Sequence, residues 1–296
     1  VPISPSLKAD LILVLVTSLA AAGWIFSKEA LMGLPPLLFI GTRFFGAGVI
    51  LVLTGKTRLN SLDSKQQKAA LLSGLAFSAA LCVWIFGLQY TRHLGVGAFI
   101  TSLAVVLIPV VAYFLYGERP TRNSWLALPI ALAGLALLTL KNGLHLDNGH
   151  LFFLAATLIF SFQFTYTSQI VRRMSPIALT SIQLLTVGVV AFGLSVIFED
   201  WPDEVATEIW WWLFASTVIA TCMRFFFQIY AQSLASASHA AVIMILEPVL
   251  TTLLAAIWFG EIMSLSQALG CGLIFAALLV ARWKFVREML SGVLRR

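Results

Sequence analysis

Charge is the first thing this sequence lacks. Asp, Glu, Lys and Arg make up only 11% of its 296 residues, against 60% hydrophobic residues, whereas soluble domains carry about 25% charged residues. A chain of that composition cannot hide its apolar surface in one soluble core, and no segment is left that reads as a separate soluble domain. Cysteine is scarce and odd in number: Cys82, Cys222 and Cys271 all fall in apolar stretches. They give no disulfide framework and read as small core- or lipid-facing side chains. Of the four histidines, His93, His145, His150 and His239, no two are spaced i, i+4, and none sits in a zinc-ligand pattern with a carboxylate. There is no Gly-x-x-x-x-Gly-Lys-Ser/Thr phosphate loop, so the chain does not hydrolyse ATP by that route. Nor is there a Gly-x-Ser-x-Gly elbow. The expectation is a protein without a cofactor or metal, and not an enzyme.

What remains is apolar sequence in long runs. Spans of roughly 18 or more apolar residues are candidates to cross a hydrocarbon core of ~30 Å as helices. Ten are placed near 10–27, 35–54, 69–91, 94–116, 124–140, 151–171, 177–198, 208–233, 237–259 and 265–282. Because nine more spans follow the first, it is not expected to be a cleaved signal peptide. The net charge of +6 invites a nucleic-acid reading in a soluble chain, but here its distribution points elsewhere. With ten spans, fourteen of the nineteen Lys and Arg fall on the side of both termini and three on the other; Arg43 and Arg224 lie inside spans. That asymmetry predicts both termini in the cytoplasm. Trp201, Trp210, Trp211 and Trp212 cluster at the opposite boundary, as interfacial anchors do.

The ten stretches read as five written twice. In the front part of each copy Pro36 answers to Pro176. In the rear part, at a slightly larger and constant offset, Tyr116-Gly117-Glu118 answers to Phe259-Gly260-Glu261. At that same rear offset, Leu88-Gln89 matches Ala231-Gln232, and Gly97-Ala98-Phe99-Ile100 matches Ala240-Ala241-Val242-Ile243. Five is odd, so a second copy following directly enters the membrane inverted, which is the build of many secondary transporters. The expected fold is therefore all-α and polytopic. Its ten transmembrane helices form two inverted five-helix repeats, 1–144 and 145–296, around a central cavity.

Several runs carry a family likeness: Thr42-Arg43-Phe44, Tyr116-Gly117-Glu118-Arg119-Pro120-Thr121, and Ile245-Leu246-Glu247-Pro248 followed by Phe259-Gly260-Glu261. In these the chain resembles the drug/metabolite transporter superfamily, in its EamA-type ten-helix branch, and most of all the YddG-type amino-acid exporters. The resemblance implies an exporter of amino acids, metabolites and drug-like compounds in a bacterial cytoplasmic membrane. Its partners would be a small-molecule substrate and the bilayer, with no nucleic acid, and the chain would work as a monomer. One departure stands out: Ala104-Val105 occupies the place of Glu247-Pro248 in the first half, with Pro109 four residues further on.

Arg43, Arg224 and Glu247 are charges well inside spans, each costing about 2.5–3.5 kcal/mol at a helix centre. Arg224 lies twelve residues before the turn at Ser236 and Glu247 eleven after it. At 1.5 Å per residue both reach a depth of ~17 Å. Two readings stand: a structural ion pair, or a binding point at which Arg224 faces a carboxylate and Glu247 an ammonium. Arg43, with neutral Gln183 as its counterpart, reads as a packing charge. Trp24, Phe77, Trp84, Phe160, Gln163 and Phe227 join Arg224 and Glu247 as candidates to line the cavity, where aromatic rings and amides suit amino acids and flat cations. Pro109 and Pro248 interrupt the fourth and ninth spans, and with Gly95, Gly97 and Ser238 they are the candidate gates. An enzyme in the membrane or a channel is the alternative to a transporter. Uniport and proton antiport both remain open.

Overall fold

A computed structural model of the chain describes residues 5–90, 100–101, 103–120, 122–139, 148–244, 246–259, 265–281 and 283. Among these there is helix and turn but no strand. The helices are α1 (Pro5–Ala30), α2 (Pro36–Leu59), α3 (Ser64–Tyr90), α4 (Ala104–Tyr116), α5 (Arg122–Thr139), α6 (Asn148–Ile170, closed by a 3₁₀ turn), α7 (Pro176–Phe198), α8 (Thr207–Leu234), α9 (Ala237–Met244), α10 (Leu246–Phe259) and α11 (Leu265–Ala281). Six of them, α1, α2, α3, α6, α7 and α8, contain apolar spans of 20–28 residues with mean hydropathy 1.4–2.1, enough to cross a bilayer. Large apolar side chains face outward along them, Leu53 at 74% exposure and Val196 at 60% among them. A soluble protein rarely shows such a surface. The expected fourth, fifth, ninth and tenth spans coincide with shorter described helices, and Gly95, Gly97 and the Gly260-Glu261 pair lie outside the described residues.

Local sequence explains where these helices begin and end. Pro36 and Pro176 open α2 and α7, where a missing N–H costs nothing and φ is already helical. At the start of α3, Asp63 Oδ1 accepts from the Gln66 amide at 2.7 Å and Gln66 Oε1 from the Asp63 amide at 3.1 Å. This is a reciprocal capping box. The amides of Leu37 and Leu38, freed at the start of α2, donate to Glu199 at 2.7 and 2.8 Å, so the acidic loop after α7 caps a helix N-terminus with the favourable charge. Gly117 ends α4 at φ 65°. That left-handed residue lets Glu118 N–H reach back to the Ala112 carbonyl at 3.2 Å. It also turns the Glu118 carboxylate onto Arg172 (3.1 Å) and Gln169 (3.4 Å) at the end of α6.

The core is built by closely packed helix pairs, of which α2–α7, α3–α6 and α1–α8 run antiparallel. α2 packs along α7, α5 along α11, α3 against α6 and α7, and α8 against α1 and α2. The α2–α7 seam is backbone on backbone. A methyl on Gly188 would sit 2.4 Å from the Phe45 nitrogen, and one on Gly48 2.8 Å from the Leu185 nitrogen. Membrane helices associate through such close approach, since lipid supplies no hydrophobic drive between them. Gly188→Ala is therefore expected to destabilise the protein by about 1–3 kcal/mol, the range for overpacking, seen as a lower unfolding midpoint in detergent. Gly193→Ala, in the same helix but with nothing within 4 Å of the added methyl, is expected to leave the midpoint unchanged or raise it, because Ala is the better helix former.

Candidate functional site

The intramembrane charges meet where α8 departs from α-helical winding. Residues Val218–Met223 form a π-helical turn, and Arg224 is the first residue after it. Widened turns of this kind recur at functional sites. Glu247 occupies the first turn of α10, where the helix N-terminus favours a carboxylate. Arg224 Nη2 donates to Glu247 Oε2 at 3.3 Å, and Trp24 Nε1 of α1 donates to Oε1 at 3.4 Å. Both distances are long beside the ~2.7–2.9 Å of tight charge-assisted bonds. The two side chains remain 20% and 21% exposed. The pair is in contact, and neither side chain is fully buried. Trp24 meets Trp84 of α3 edge-on at 6.0 Å, and Trp84 meets Phe153 of α6 at 6.4 Å. The Arg224 guanidinium also lies 4.6 Å from the centre of the Phe225 ring. Five helices thus contribute to one aromatic-walled charge pair.

Arg43 does a different job. Its Nε donates to Thr221 Oγ1, its Nη1 to Ser27 Oγ at 2.9 Å and its Nη2 to the Ala220 carbonyl at 3.2 Å. It ties α1, α2 and the π turn of α8 together, and it fills the hydrogen-bonding capacity of a carbonyl in that turn. Gln183, 140 residues further along the chain, donates to Thr167 Oγ1 at 2.9 Å and to Ser73 Oγ at 2.5 Å. Thr167 follows Ser27 at the same offset by which Gln183 follows Arg43. Gln163 donates to the same Thr167 at 3.0 Å. The result is a buried hydroxyl–amide knot joining α3, α6 and α7, with Ser73 and Thr167 also bonded to each other at 2.8 Å.

The structure brings Trp24, Trp84, Arg224 and Glu247 together. Phe77, 6% exposed, packs instead in an aromatic cluster with Phe44, Phe160 and Phe225 at 5.3–6.1 Å. This cluster adjoins the charge pair through Phe225, whose ring the Arg224 guanidinium overlies. Phe227 lies against Phe226. Pro109 is buried within α4. Ser238 is buried in the first turn of α9 with no hydrogen-bond partner among the described residues. Pro248 is the third residue of α10, where proline is well tolerated.

Three features escape a reading of the sequence. One is the π turn, which has no pattern of its own. Another is the contact of His239 Nε2 with Asp10 Oδ1 at 2.6 Å, which, with Lys8 donating to Tyr230 at 2.8 Å, ties the start of α1 to α8 and α9. The third is a row of buried glutamines on α8, for which helical spacing from Arg224 is the available signal.

A model of the EamA-like transporter family matches the chain twice, over residues 7–140 and 147–283. An uncharacterized transporter of Archaeoglobus fulgidus is 27% identical over 274 residues, covering 93% of this chain and 85% of that protein. The uncharacterized transporters YoaV and YvbV of Bacillus subtilis are 23% and 27% identical, with 95% and 98% of this chain covered and 99% and 96% of theirs. A crystal structure superposes with a TM-score of 0.81 over 95% of this chain and 98% of that one, at 18% identity, a likeness of fold alone. Together with the apolar helices and the intramembrane charge pair, these matches settle the class of protein: the chain belongs to the EamA-like transporter family, a family of multi-pass membrane transporters.

Proposed function

We propose that this transporter exports amino acids, aromatic ones included, and related small metabolites or drug-like cations across a bacterial cytoplasmic membrane. It does so by alternating access between two inverted five-helix repeats, in the manner of YddG-type exporters, with both termini in the cytoplasm. The observation that carries the reading is the loose Arg224–Glu247 pair walled by Trp24 and Trp84. A zwitterion offers a carboxylate to the guanidinium and an ammonium to the carboxylate, and its side chain meets the indoles. Both side chains are about one-fifth exposed, so the head group of a solute can reach each of them.

The inverted repeat draws support from reciprocal contacts. Gly48 faces Leu185 while Gly188 faces Phe45, and Gly46 faces Thr217 while Gly74 faces Thr186. At the front and rear offsets of the repeat, Gly48 corresponds to Gly188, Phe45 to Leu185, Gly46 to Thr186 and Gly74 to Thr217. Contact i to j repeated as j to i is the mark of a two-fold axis. An axis relating the antiparallel helices α2 and α7 runs across them, which supports an inverted arrangement of the two halves. The two separate family matches point the same way.

The test is transport by purified protein in liposomes loaded with a panel of labelled amino acids, with and without an imposed pH gradient. Saturable movement of chemically unchanged solute, with no single-channel conductance, is the expected result. Solute altered chemically would favour an enzyme, and conductance a channel. Removing one indole gives a graded check. Trp24→Ala is expected to raise the half-saturation concentration for phenylalanine and tryptophan about tenfold, the loss of one aromatic contact of ~1–1.5 kcal/mol. Glycine or alanine transport should change less, and Trp24→Phe should recover most of the difference.

A further inference from the structure

Below Arg224, the same face of α8 carries Gln228 and Gln232, at i+4 and i+8. Gln228 is 9% exposed and Gln232 fully buried. Gln228 Oε1, both amide atoms of Gln232 and Nε of Arg224 are buried with no hydrogen-bond partner among the described residues. Side chains four residues apart stand above one another on a helix, so the unpaired atoms form a column of ~12 Å running from the charge pair towards the α8–α9 turn. Folded proteins leave few buried polar groups unpaired, and each is costly. Unpaired groups stacked along one helix face, continuous with a candidate binding pair, are more than a packing fault. The tight closure at their far end is separate: Ala231, Ala237, Ala240 and Ala241 pack with Leu13 there, next to the Asp10–His239 contact.

From this column we infer a second station on the substrate path: Gln228 and Gln232 receive the zwitterionic head group between the Arg224–Glu247 pair and the closed end. The chemistry fits a group that both donates and accepts. Gln228 Oε1 and Gln232 Oε1 accept from an ammonium, while Gln232 Nε2 donates to a carboxylate. Two neutral amides hold a zwitterion more weakly than the charge pair does, as a passing station must if the substrate is to leave. The inference rests on the proposed transport of zwitterions and specifies a part of the path which that proposal leaves open.

Gln228→Met and Gln232→Met keep the length of the side chain and remove its hydrogen bonding. Each is expected to slow transport of labelled phenylalanine in proteoliposomes about tenfold, the cost of one lost hydrogen bond in a rate. Equilibrium binding of phenylalanine in detergent, which reads the Arg224–Glu247 pair, should stay within about threefold of wild type. The unfolding midpoint should hold or rise, since an unpaired buried polar group is replaced by an apolar one. Active wild type matched in rate by both Met variants overturns the second station alone. A lower midpoint in both variants also overturns it, by showing that the amides are already partnered. Wild type that moves no amino acid overturns both this station and the transport reading beneath it.

Discussion

Arg224→Ala is expected to reduce amino-acid transport in proteoliposomes by more than about a hundredfold, while the protein still folds and purifies as a single species. Arg224 is the one charged partner of Glu247 within hydrogen-bond reach among the described residues. Without it the carboxylate keeps, among the described residues, only the Trp24 indole. That costs stability, but both groups are about one-fifth exposed, so the penalty falls well short of the ~3–5 kcal/mol for breaking a fully buried pair. A single variant does not separate a structural role from a binding one. The double variant Arg224→Met with Glu247→Gln does. It removes both charges, and neutral replacement of an intramembrane pair is commonly harmless to stability. If the pair only pins α8 to α10, the double variant transports. If the pair holds the zwitterion, it folds at least as well as Arg224→Ala and does not transport.

The second large effect is on stability, at Arg43. Inserting an arginine costs about 2.5–3.5 kcal/mol, and truncation to alanine removes that cost. Against it stand three hydrogen bonds from a charged donor to Thr221, Ser27 and the Ala220 carbonyl, each worth about 1.5–3 kcal/mol. The bonds win. Arg43→Ala is expected to destabilise the protein by about 3 kcal/mol net, and the loss appears as a markedly lower unfolding midpoint. Arg43→Lys should recover little, because one ammonium cannot span the fork that joins α1 to α8. The corresponding Gln183→Ala loses only neutral bonds and leaves Ser73 and Thr167 bonded to each other at 2.8 Å, so its cost is about 1–2 kcal/mol. A midpoint for Arg43→Ala equal to that of Gln183→Ala would contradict this weighing.

Much of this architecture is legible in the sequence because it follows from one-dimensional spacing. Apolar runs give the long helices, and the twelve and eleven residues on either side of Ser236 put Arg224 and Glu247 at one depth. The structure closes that distance to 3.3 Å. What is not legible depends on contacts between distant segments. The π turn at Val218–Met223 has no composition that marks it; it is held in part by Arg43, far away in the chain, bonding the Ala220 carbonyl. Likewise Phe77 and Trp84 share helical spacing on α3, yet one is packed among phenylalanines and the other reaches the charge pair through Trp24. Two residues seven apart lie near one face, and the neighbours across that face decide which of them is wall and which is site.

The most direct measurement compares saturable movement of labelled phenylalanine in liposomes carrying wild type with that in liposomes carrying the Arg224→Met, Glu247→Gln double variant at matched protein content. A charge pair that binds the substrate predicts saturable transport by wild type and none above empty liposomes for the double variant, although the latter unfolds at a similar temperature. Equal transport by the two proteins would show that the charge pair does not bind the substrate.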